Sequence, residues 1–325
     1  MRPSIQVESD LATFSVEFAA LDHDFAEMKH SKCRLSVAVC TYNRSASLRL
    51  TLESIEKAMP PPQAWELLVI DNNSSDDTRQ IVQSFEQRLP IRYLFESTQG
   101  LSAARNRALQ EFEGDWLIFT DDDVTVDSAW LDAYADAIAT FPEAGFLGGR
   151  VVPAWPSQRP AWLGDAPIAL LDGLLVWFDR GTDTRTFAAQ EPLPYGASFA
   201  LSRDAMRTNG EFRLDLGVKG SVVGRGEESE YMERIRSCGG LGVYVGKAVA
   251  NHMTDMKRLR LGYLYRYGIQ KGIAERRFGS EQTGSTLRAW FYILRGIAQW
   301  VRGHGDRFRQ CIINAGIERG LMRDG

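Results

Sequence analysis

Residues 116–123, WLIFTDDD, join a run of apolar and β-forming residues directly to three consecutive aspartates. The run predicts a buried strand, because apolar residues fill it almost without interruption. Three adjacent carboxylates repel one another, and burial makes the repulsion worse. Such a sequence is stable when a cation lies against the carboxylates. The stretch therefore predicts a cation-binding site at the end of a strand.

Strand-like and helix-like segments alternate on both sides of this stretch. We predict strands at residues 35–42, 65–73, 91–97 and 115–123, and helices at residues 47–59, 74–89, 100–112 and 128–141. Apolar strands separated by helices of about 10–15 residues are typical of βαβ units and a largely parallel sheet. After residue 150 the strand-like segments are 193–202 and 243–252, residues 224–240 are helix-like, and three helical stretches end the chain.

Polar residues follow three of the predicted strands: Thr41 to Arg44, Asp71 to Asn73, and Asp121 to Asp123. The carboxyl ends of parallel strands share one edge of a sheet, and ligands bind beyond that edge. The two-residue period of a strand directs Asp121 and Asp123 to the same side and Asp122 to the opposite side. Two converging carboxylates suit Mg²⁺ or Mn²⁺, which bind one or two carboxylates together with substrate phosphates.

Four segments carry a resemblance to a known family: VAVCTYNR (37–44), LLVIDNNSSDDT (67–78), GLSAARNRAL (100–109) and WLIFTDDDV (116–124). In this order and at this spacing they resemble the nucleotide-sugar domain of family 2 glycosyltransferases, over residues 33–255. The resemblance implies an α/β GT-A fold, with a Rossmann-like, mostly parallel central sheet flanked by helices; the last helical stretches add a helical C-terminal extension. It also implies metal-dependent, inverting transfer of a sugar from a nucleotide-diphosphate donor to an acceptor hydroxyl. The basic end of the chain and the lack of a spanning helix fit a membrane acceptor, in surface polysaccharide or glycolipid assembly.

The resemblance implies roles for the matching residues. The nucleotide-binding residues it implies are Thr41, Tyr42, Arg44, Asp71, Arg105, Asp121 and Asp122. A Mn²⁺ or Mg²⁺ cofactor is expected on Asp121, Asp123 and His252, and which of the three aspartates ligates stays open. The basic residues that could bind the departing diphosphate are Lys257, Arg258 and Arg260. These residue types fit, because carboxylates accept hydrogen bonds from a base or ribose and arginine complements phosphate.

The segment GRGEESEYMERI (224–235) opens a helix with two acids. Family members carry an acidic pair here, usually Glu-Asp, and its second member is the catalytic base, so the resemblance implies this role for Glu228. Glutamate in place of aspartate moves the carboxylate by about 1 Å, which leaves open a base one position away. PYGASFALSR (194–203) resembles the loop that closes on the donor sugar. The residues expected near the donor sugar or acceptor are Gly196, Ala197, Ser198, Glu227 and Trp162.

These patterns divide the chain into three parts. Residues 1–32 include an apolar helical stripe at 11–28, which docks on its own domain or forms a homodimer contact. Residues 33–255 form the catalytic domain, with a nucleotide-binding half at 33–150 and an acceptor and catalytic half at 151–255. Residues 256–325 form a basic helical region.

Positive charge is concentrated at the end of the chain. Residues 253–325 carry 14 Lys and Arg against six Asp and Glu, although the whole chain has a net charge of −4, so the basic tail predicts an anionic partner. The arginines that recur every seven residues in this tail are Arg288, Arg295, Arg302 and Arg309. With the neighbouring aromatic residues they predict an amphipathic helix that contacts a membrane surface through residues 286–310. A helix packed on the catalytic domain with a solvated basic side is the alternative.

The remaining composition favours a cytoplasmic protein. The first ten residues lack the apolar core of a secretory signal, and no apolar run approaches the about 20 residues of a spanning helix. The four cysteines are scattered without a CxxC pair, which is typical of a reduced compartment. We therefore expect a cytoplasmic protein, peripheral at the inner face of the cell membrane. Its expected partners are a nucleotide-diphosphate sugar and a glycan or lipid-linked acceptor, with no nucleic acid.

A nucleotidyltransferase and a non-catalytic nucleotide- or glycan-binding protein are the alternative functions. A nucleotidyltransferase usually has a glycine-rich phosphate loop early in the chain, whereas TYNRSAS (41–47) contains no glycine. A Rossmann dehydrogenase is disfavoured because no GxGxxG motif follows the first strand. A phosphorelay receiver domain is disfavoured because it is far shorter than this chain and leaves Glu227 and Glu228 unexplained.

Overall fold

The computed structural model describes residues 34–163, 171–218, 226–277 and 284–322. Its strands are β1 (Leu35–Thr41), β2 (Trp65–Asp71), β3 (Ile91–Phe95), β4 (Trp116–Asp121), β5 (Val124–Val126), β6 (Ala144–Ala154), β7 (Thr184–Thr186), β8 (Ser198–Ser202) and β9 (Leu241–Met253). Its α-helices are α1 (Ser45–Lys57), α2 (Thr78–Gln83), α3 (Leu101–Glu111), α4 (Trp130–Thr140), α5 (Asp172–Leu175), α6 (Arg203–Asn209), α7 (Glu227–Ser237), α8 (Leu261–Arg277), α9 (Thr286–Val301) and α10 (Gly305–Leu321). A short 3-10 helix, Met256–Leu259, separates β9 from α8. The N-terminal stripe predicted at 11–28 lies outside the described residues.

The strands form one sheet in the order β3-β2-β1-β4-β8-β6-β9-β5, with β7 paired to β9. The first four strands in this order are parallel, whereas β8 runs antiparallel between β4 and β6. Apolar side chains of β1 alternate between two cores: Val37 and Val39 enter one, and Ala38 enters the other. Burial on both faces explains why these strands are continuously apolar. The mostly parallel α/β sheet, followed by C-terminal helices, confirms the predicted fold class.

The register of the parallel strands gathers the polar clusters. Thr41 pairs with Asp71, and Cys40 pairs with Asp121. The last residues of β1, β2 and β4 therefore lie side by side at the carboxyl edge, as the sequence predicts.

Two elements differ from the sequence prediction. The patterns do not predict β6, whose Gly148 and Gly149 are of a residue type depleted in strands. A methyl group on Gly148 would collide with Pro194, and one on Gly149 would collide with Ser198. Close approach, rather than flexibility, therefore requires these glycines. The helix predicted at 74–89 is also too long, since α2 covers only Thr78–Gln83.

The amphipathic segment at residues 287–308, where Gly303 and Gly305 predict an interruption, forms two helices. α9 ends at Val301, α10 begins at Gly305, and Gly303 takes a positive φ of 77° between them. The four regularly spaced arginines consequently do not form one stripe, because Arg309 lies on the second helix. Within the described residues, no helix combines the length and the apolar content that crossing a membrane requires.

Glycines bring α8 and α10 into backbone contact. A methyl group on Gly268 would collide with the carbonyl oxygen of Ile313, and one on Gly316 would collide with that of Tyr265. Each helix repeats a glycine four residues later, at Gly272 and Gly320. This small-residue spacing lets two helices approach closely.

We expect Gly268→Ala to lower the stability of the C-terminal helices by about 1–3 kcal/mol, because the added methyl has no space between the two backbones. Gly262→Ala is the matched control on the same helix, since no atom lies within 4 Å of its added methyl. Alanine is the better helix former, so this control should be neutral or slightly stabilising. Thermal unfolding of both variants checks the prediction; equal melting temperatures would contradict the close packing.

Candidate active site

A cavity of about 340 Å³ opens where β1, β2 and β4 end. The predicted residues that line it are Thr41, Tyr42, Arg44, Asp121, Asp122, Asp123 and His252. They come from three separated parts of the chain, and the sheet topology brings them together. The cavity is the candidate active site.

The loop after β1 is locked to the loop after β2. Asn43 has a φ of 51°, and its Oδ1 accepts a hydrogen bond of 2.7 Å from the amide of Ser75. The amide of Asn43 donates to Oγ of Ser74 at 2.9 Å. Asparagine tolerates this left-handed conformation better than most residues. The two bonds fix the start of α1, and with it the position of Arg44.

In this structure the cation beside the aspartates is the guanidinium of Arg44. Its Nη1 lies 2.9 Å from Asp122 Oδ1 and 2.8 Å from Asp123 Oδ2. Asp122 also accepts a hydrogen bond of 2.8 Å from the hydroxyl of Thr41. The Arg44 side chain is 45% exposed, whereas both carboxylates are nearly buried. The ion pairs therefore sit at the boundary between protein and solvent.

The predicted alternation of the three aspartate side chains is wrong. β4 ends at Asp121, and residues 122–123 form a tight turn into β5. One nitrogen of Arg44 consequently contacts both Asp122 and Asp123, whereas Asp121 Oδ1 lies 3.8 Å from Nη2 of Arg105. The two-residue period applies only while the chain stays extended.

His252 reaches the cavity from β9. Its backbone pairs with Val124 of β5, and the amide of Met253 donates to the carbonyl oxygen of Asp123 at 2.8 Å. This register places His252 Nε2 3.4 Å from Asp123 Oδ1. Neighbouring ligands of a cation bound at about 2.1 Å are about 3 Å apart, so the two side chains fit a shared divalent ion. Among the described residues no three His, Cys, Asp or Glu side chains form a complete metal cluster.

The pKa values of the three aspartates differ. Burial raises the pKa of Asp121 to about 7 and that of Asp122 to about 6, and the neighbouring carboxylates add to both shifts. Burial also acts to raise the pKa of Asp123, but His252 and Arg44 outweigh it and hold this pKa below its usual value. Asp123 is therefore the most readily ionised of the three.

A second, deeper group of charges centres on Arg105 of α3. Its Nη1 lies 2.6 Å from Glu227 Oε1 and 3.8 Å from Glu228 Oε2. Three aromatic rings surround the guanidinium at 5.3–5.9 Å from their centroids: Phe119, Phe199 and Phe212. The arginine is 2% exposed, so its charge is held by carboxylates rather than by water. Burial acts to raise the pKa of Glu227 and the neighbouring Glu228 adds to this, whereas the guanidinium of Arg105 at 2.6 Å opposes the rise and stabilises the carboxylate.

The two glutamates at the start of α7 have different surroundings. Glu227 is 3% exposed and bound to Arg105. Glu228 is more accessible, with 14% of its side chain exposed, and its Oε1 accepts a hydrogen bond of 3.2 Å from the amide of Gly196. A methyl group on Gly196 would collide with the guanidinium of Arg105. The loop predicted to close on the donor sugar therefore contacts the acidic pair directly.

Several predicted site residues lie behind the cavity wall or away from it. Asp71 accepts hydrogen bonds from Tyr93 at 2.7 Å and from the Ser74 amide at 2.8 Å. Ala197 and Ser198 are fully buried. The contacts predicted for these residues with a nucleotide or sugar stay predictions.

Trp162 lies beside the C-terminal helices, where the guanidinium of Arg309 stacks 4.0 Å from its ring centroid. It is not among the residues that line the cavity. Its predicted contact with donor or acceptor stays a prediction.

Asn72 lines the cavity, although the sequence patterns predict no role for it. Its Oδ1 accepts a hydrogen bond of 2.8 Å from the Gly100 amide, and its Nδ2 donates to the Thr98 carbonyl at 2.7 Å. Asn72 thus joins β2 to the start of α3. The available signal was its place directly after Asp71. Of the three basic residues considered for a diphosphate, only Arg258 lines the cavity.

The sequence model described as Glycosyl transferase family 2 matches residues 36–208, which is more than half of the chain. The succinoglycan biosynthesis protein ExoM of Rhizobium meliloti is 27% identical over 273 residues, covering 83% of this chain and 82% of that protein. The glucosyl-dolichyl phosphate glucuronosyltransferase of Haloferax volcanii is 24% identical over 250 residues, covering 75% and 76%.

Solved structures show the same fold. A mannosyltransferase from Pyrobaculum calidifontis, PcManGT, solved with GDP-Man and Mn²⁺, superimposes with a TM-score of 0.57 at 16% identity, covering 95% of this chain and 97% of that one. Residues 1–349 of S. aureus TarS, solved with UDP-GlcNAc, superimpose with a TM-score of 0.53 at 16% identity, covering 89% and 88%. At this identity the likeness concerns the fold.

We expect Asp121→Asn to stabilise the metal-free protein at pH 8. Burial places the pKa of Asp121 near 7 in the folded protein, against 3.8 for an unperturbed aspartate, so ionisation costs stability as the pH rises through this interval. Because 31% of the side chain is exposed, solvent reduces the cost. We expect a gain of about 1 kcal/mol, or about 2–4 °C in Tm.

The gain should shrink at pH 5, where the folded wild type keeps the Asp121 proton. Asp127→Asn is the matched control, since Asp127 is exposed and bound to Asn251. A lower Tm for Asp121→Asn than for the wild type at pH 8 would contradict the assignment of this cost to Asp121.

Proposed function

The chain belongs to glycosyl transferase family 2, and on this basis we propose that it transfers a sugar from a nucleoside-diphosphate donor to an acceptor hydroxyl by an inverting displacement. The observation that carries the proposal is the convergence of Asp121, Asp123 and His252 on one cavity, with Arg258 beside them. A diphosphate is the ligand class that such a set of acidic, imidazole and guanidinium groups suits when a divalent ion is bound.

The cavity supplies the groups that a nucleotide requires. Tyr42 lines it with 39% of its surface exposed, which leaves its ring available to stack on a base. Gln99 offers an amide oxygen for a hydrogen bond from a base or ribose, whereas the amide of Asn72 is held by Thr98 and Gly100. Arg258 is the guanidinium placed to bind a phosphate.

Asp123 and His252, with Asp121 as the neighbouring carboxylate, would hold Mn²⁺ or Mg²⁺. When bound there, the ion would supply positive charge to the leaving diphosphate. Arg44 binds Asp123 through Oδ2, whereas Oδ1 of Asp123 is the atom that lies near His252. An ion between Asp123 and His252 would therefore bind Oδ1 while the guanidinium of Arg44 keeps Oδ2.

Glu228 is the proposed general base. It opens α7 beside the loop at Gly196, and it is the more accessible acid of the pair. Glu227 is committed to Arg105 at 2.6 Å and therefore serves to position the arginine rather than to take the acceptor proton. In the displacement, the acceptor oxygen bonds to the anomeric carbon, the bond to the diphosphate breaks, and the acceptor proton passes to Glu228.

The proposed acceptor is a glycan or a lipid-linked glycan in surface polysaccharide or glycolipid assembly. The relatives support this class, because one is a succinoglycan biosynthesis protein and another acts on a glucosyl-dolichyl phosphate. Family membership favours glycosyl transfer over the nucleotidyltransferase and the non-catalytic binding protein that the sequence left as alternatives.

We expect Mn²⁺ together with one nucleoside diphosphate to raise the melting temperature, since a ligand that binds only the folded state stabilises it by about 2.7 kcal/mol at a hundredfold excess over Kd. UDP and GDP with and without Mn²⁺, and with EDTA, make the panel. Asp123→Asn should abolish the metal-dependent part, whereas Asp127→Asn, at an exposed aspartate four residues away, should keep it. Stabilisation unaffected by EDTA and by Asp123→Asn would contradict the metal site.

We expect Glu228→Gln to lower sugar transfer by about 100-fold or more while donor stabilisation persists, because only the proton acceptor is lost. Glu227→Gln should instead lower Tm, since it leaves the buried Arg105 without its nearest carboxylate. Glu230→Gln, on the same helix and paired with Arg234 at 2.9 Å, is the control and should keep transfer. Full transfer by Glu228→Gln would remove Glu228 as the base.

A further inference from the structure

α9 exposes a continuous apolar face. The large apolar residues on it, each 50–82% exposed, are Leu287, Trp290, Phe291, Leu294, Ile297, Trp300 and Val301. Most follow the spacing of three and four residues that places side chains on one side of a helix. Monomeric soluble proteins rarely expose a contiguous apolar patch larger than a few hundred Å². This face therefore marks a contact surface.

An ordinary surface helix turns its large apolar residues toward the protein, whereas α9 turns its small residues toward it. The residues of α9 that are buried are small, Ala289 and Gly296. A methyl group on Gly296 would lie 3.1 Å from Cys311 and 3.3 Å from Phe308 of α10, so this small side faces the protein. The seven large side chains of the apolar face consequently point outward, whereas Tyr292 and Ile293 are half-buried. Folding of the chain alone does not explain this arrangement, because burying the larger residues would stabilise the helix more.

The charged residues that α9 itself carries have one sign. From Gly284 to Arg302 the sequence contains three arginines and no acidic residue. Arg288, Arg295 and Arg302 are each seven residues apart, so they line one flank of the helix beside Phe291. Arg288 also pairs with Glu318 of α10 at 3.0 Å, which ties this flank to the rest of the C-terminal helices.

We propose that α9 lies in the surface of an anionic lipid bilayer, with its apolar face among the acyl chains and its arginine flank at the headgroups. Tryptophan, phenylalanine and leucine beside arginine are the composition of helices that bind this way, and Trp290 and Trp300 are the residue type preferred at the membrane interface. The helix has 16 residues, fewer than the about 20 needed to span a bilayer, so it lies along the surface.

A second copy of the chain fits this face less well. In a two-fold interface the same patch meets itself, so the arginine flanks of two copies would approach one another with no acidic residue of α9 between them. An anionic lipid surface instead supplies the complementary charge. Each basic residue near such a surface increases the binding affinity about fivefold. The inference goes beyond the proposed function, because it concerns a surface outside the cavity.

The test is flotation of the full chain with vesicles of phosphatidylcholine alone and of phosphatidylcholine with phosphatidylglycerol in equal parts. We expect the wild type to float with the mixed vesicles. Leu294→Asp should lower the bound fraction about tenfold or more, because it removes an apolar anchor and adds negative charge. Leu50→Asp is the matched control: Leu50 is 46% exposed on α1, and this variant should float like the wild type.

Arg295→Gln should weaken binding about fivefold to the mixed vesicles and leave binding to phosphatidylcholine unchanged. A wild type that stays in solution with the mixed vesicles overturns the proposal, and so does unchanged flotation of Leu294→Asp. A wild-type dimer by light scattering that Leu294→Asp dissociates, without vesicle binding, would assign the face to self-association and also overturn it. Because Leu294 is 64% exposed, its replacement should leave Tm and the nucleotide-dependent shift unchanged, so failure here is separable from failure of the proposed transfer.

Discussion

Two arginines neutralise the carboxylates that the fold collects at one edge of the sheet, and the site depends on how differently they are buried. Arg44 bridges Asp122 and Asp123 with 45% of its side chain in solvent, whereas Arg105 is 2% exposed and lies 2.6 Å from Glu227. A partly solvated ion pair contributes little net stability and exchanges readily. A buried pair is costly to break, because each charge left alone lacks both water and a partner. Another cation can therefore replace the guanidinium of Arg44 beside the carboxylates, whereas the guanidinium of Arg105 stays in place.

The buried guanidinium of Arg105 joins the two halves of the site. Arg105 comes from α3, its closest carboxylate from α7, and Asp121 of β4 lies 3.8 Å from its other nitrogen. Asp121 and the two glutamates are thus held apart by one buried guanidinium. Gly196 allows this spacing, because any side chain there would enter the space that Arg105 occupies. Folding therefore orders the proposed catalytic groups before any substrate binds, which is the condition for effective orientation.

The edge of the sheet could be predicted from the sequence because two local patterns determine it and no tertiary contact overrides them. Continuous apolar strands alternate with helices, and polar residues come directly after the strands, so the sequence pattern alone predicts that Thr41, Asp71 and Asp121 lie together. Prediction failed where tertiary contacts decide. Nothing local indicates that the chain turns at residues 122–123, or that Gly148 and Gly149 belong to a central strand because Pro194 and Ser198 press against them. The partner of Arg105 could not be predicted either, since it lies 122 residues away.

The C-terminal helices are attached to the wall of the cavity through side chains. Leu264 of α8 and Ile313 of α10 share one apolar cluster with Leu174 and Leu175 of α5, and Val176, the next residue, lines the cavity. Close packing transmits displacement, because an interior without voids has few ways to absorb it. The orientation of these helices therefore constrains the cavity wall at Val176. If α9 rests on a bilayer, the same cluster fixes the direction in which the cavity faces the membrane, and a membrane-borne acceptor then needs no separate docking element among the described residues.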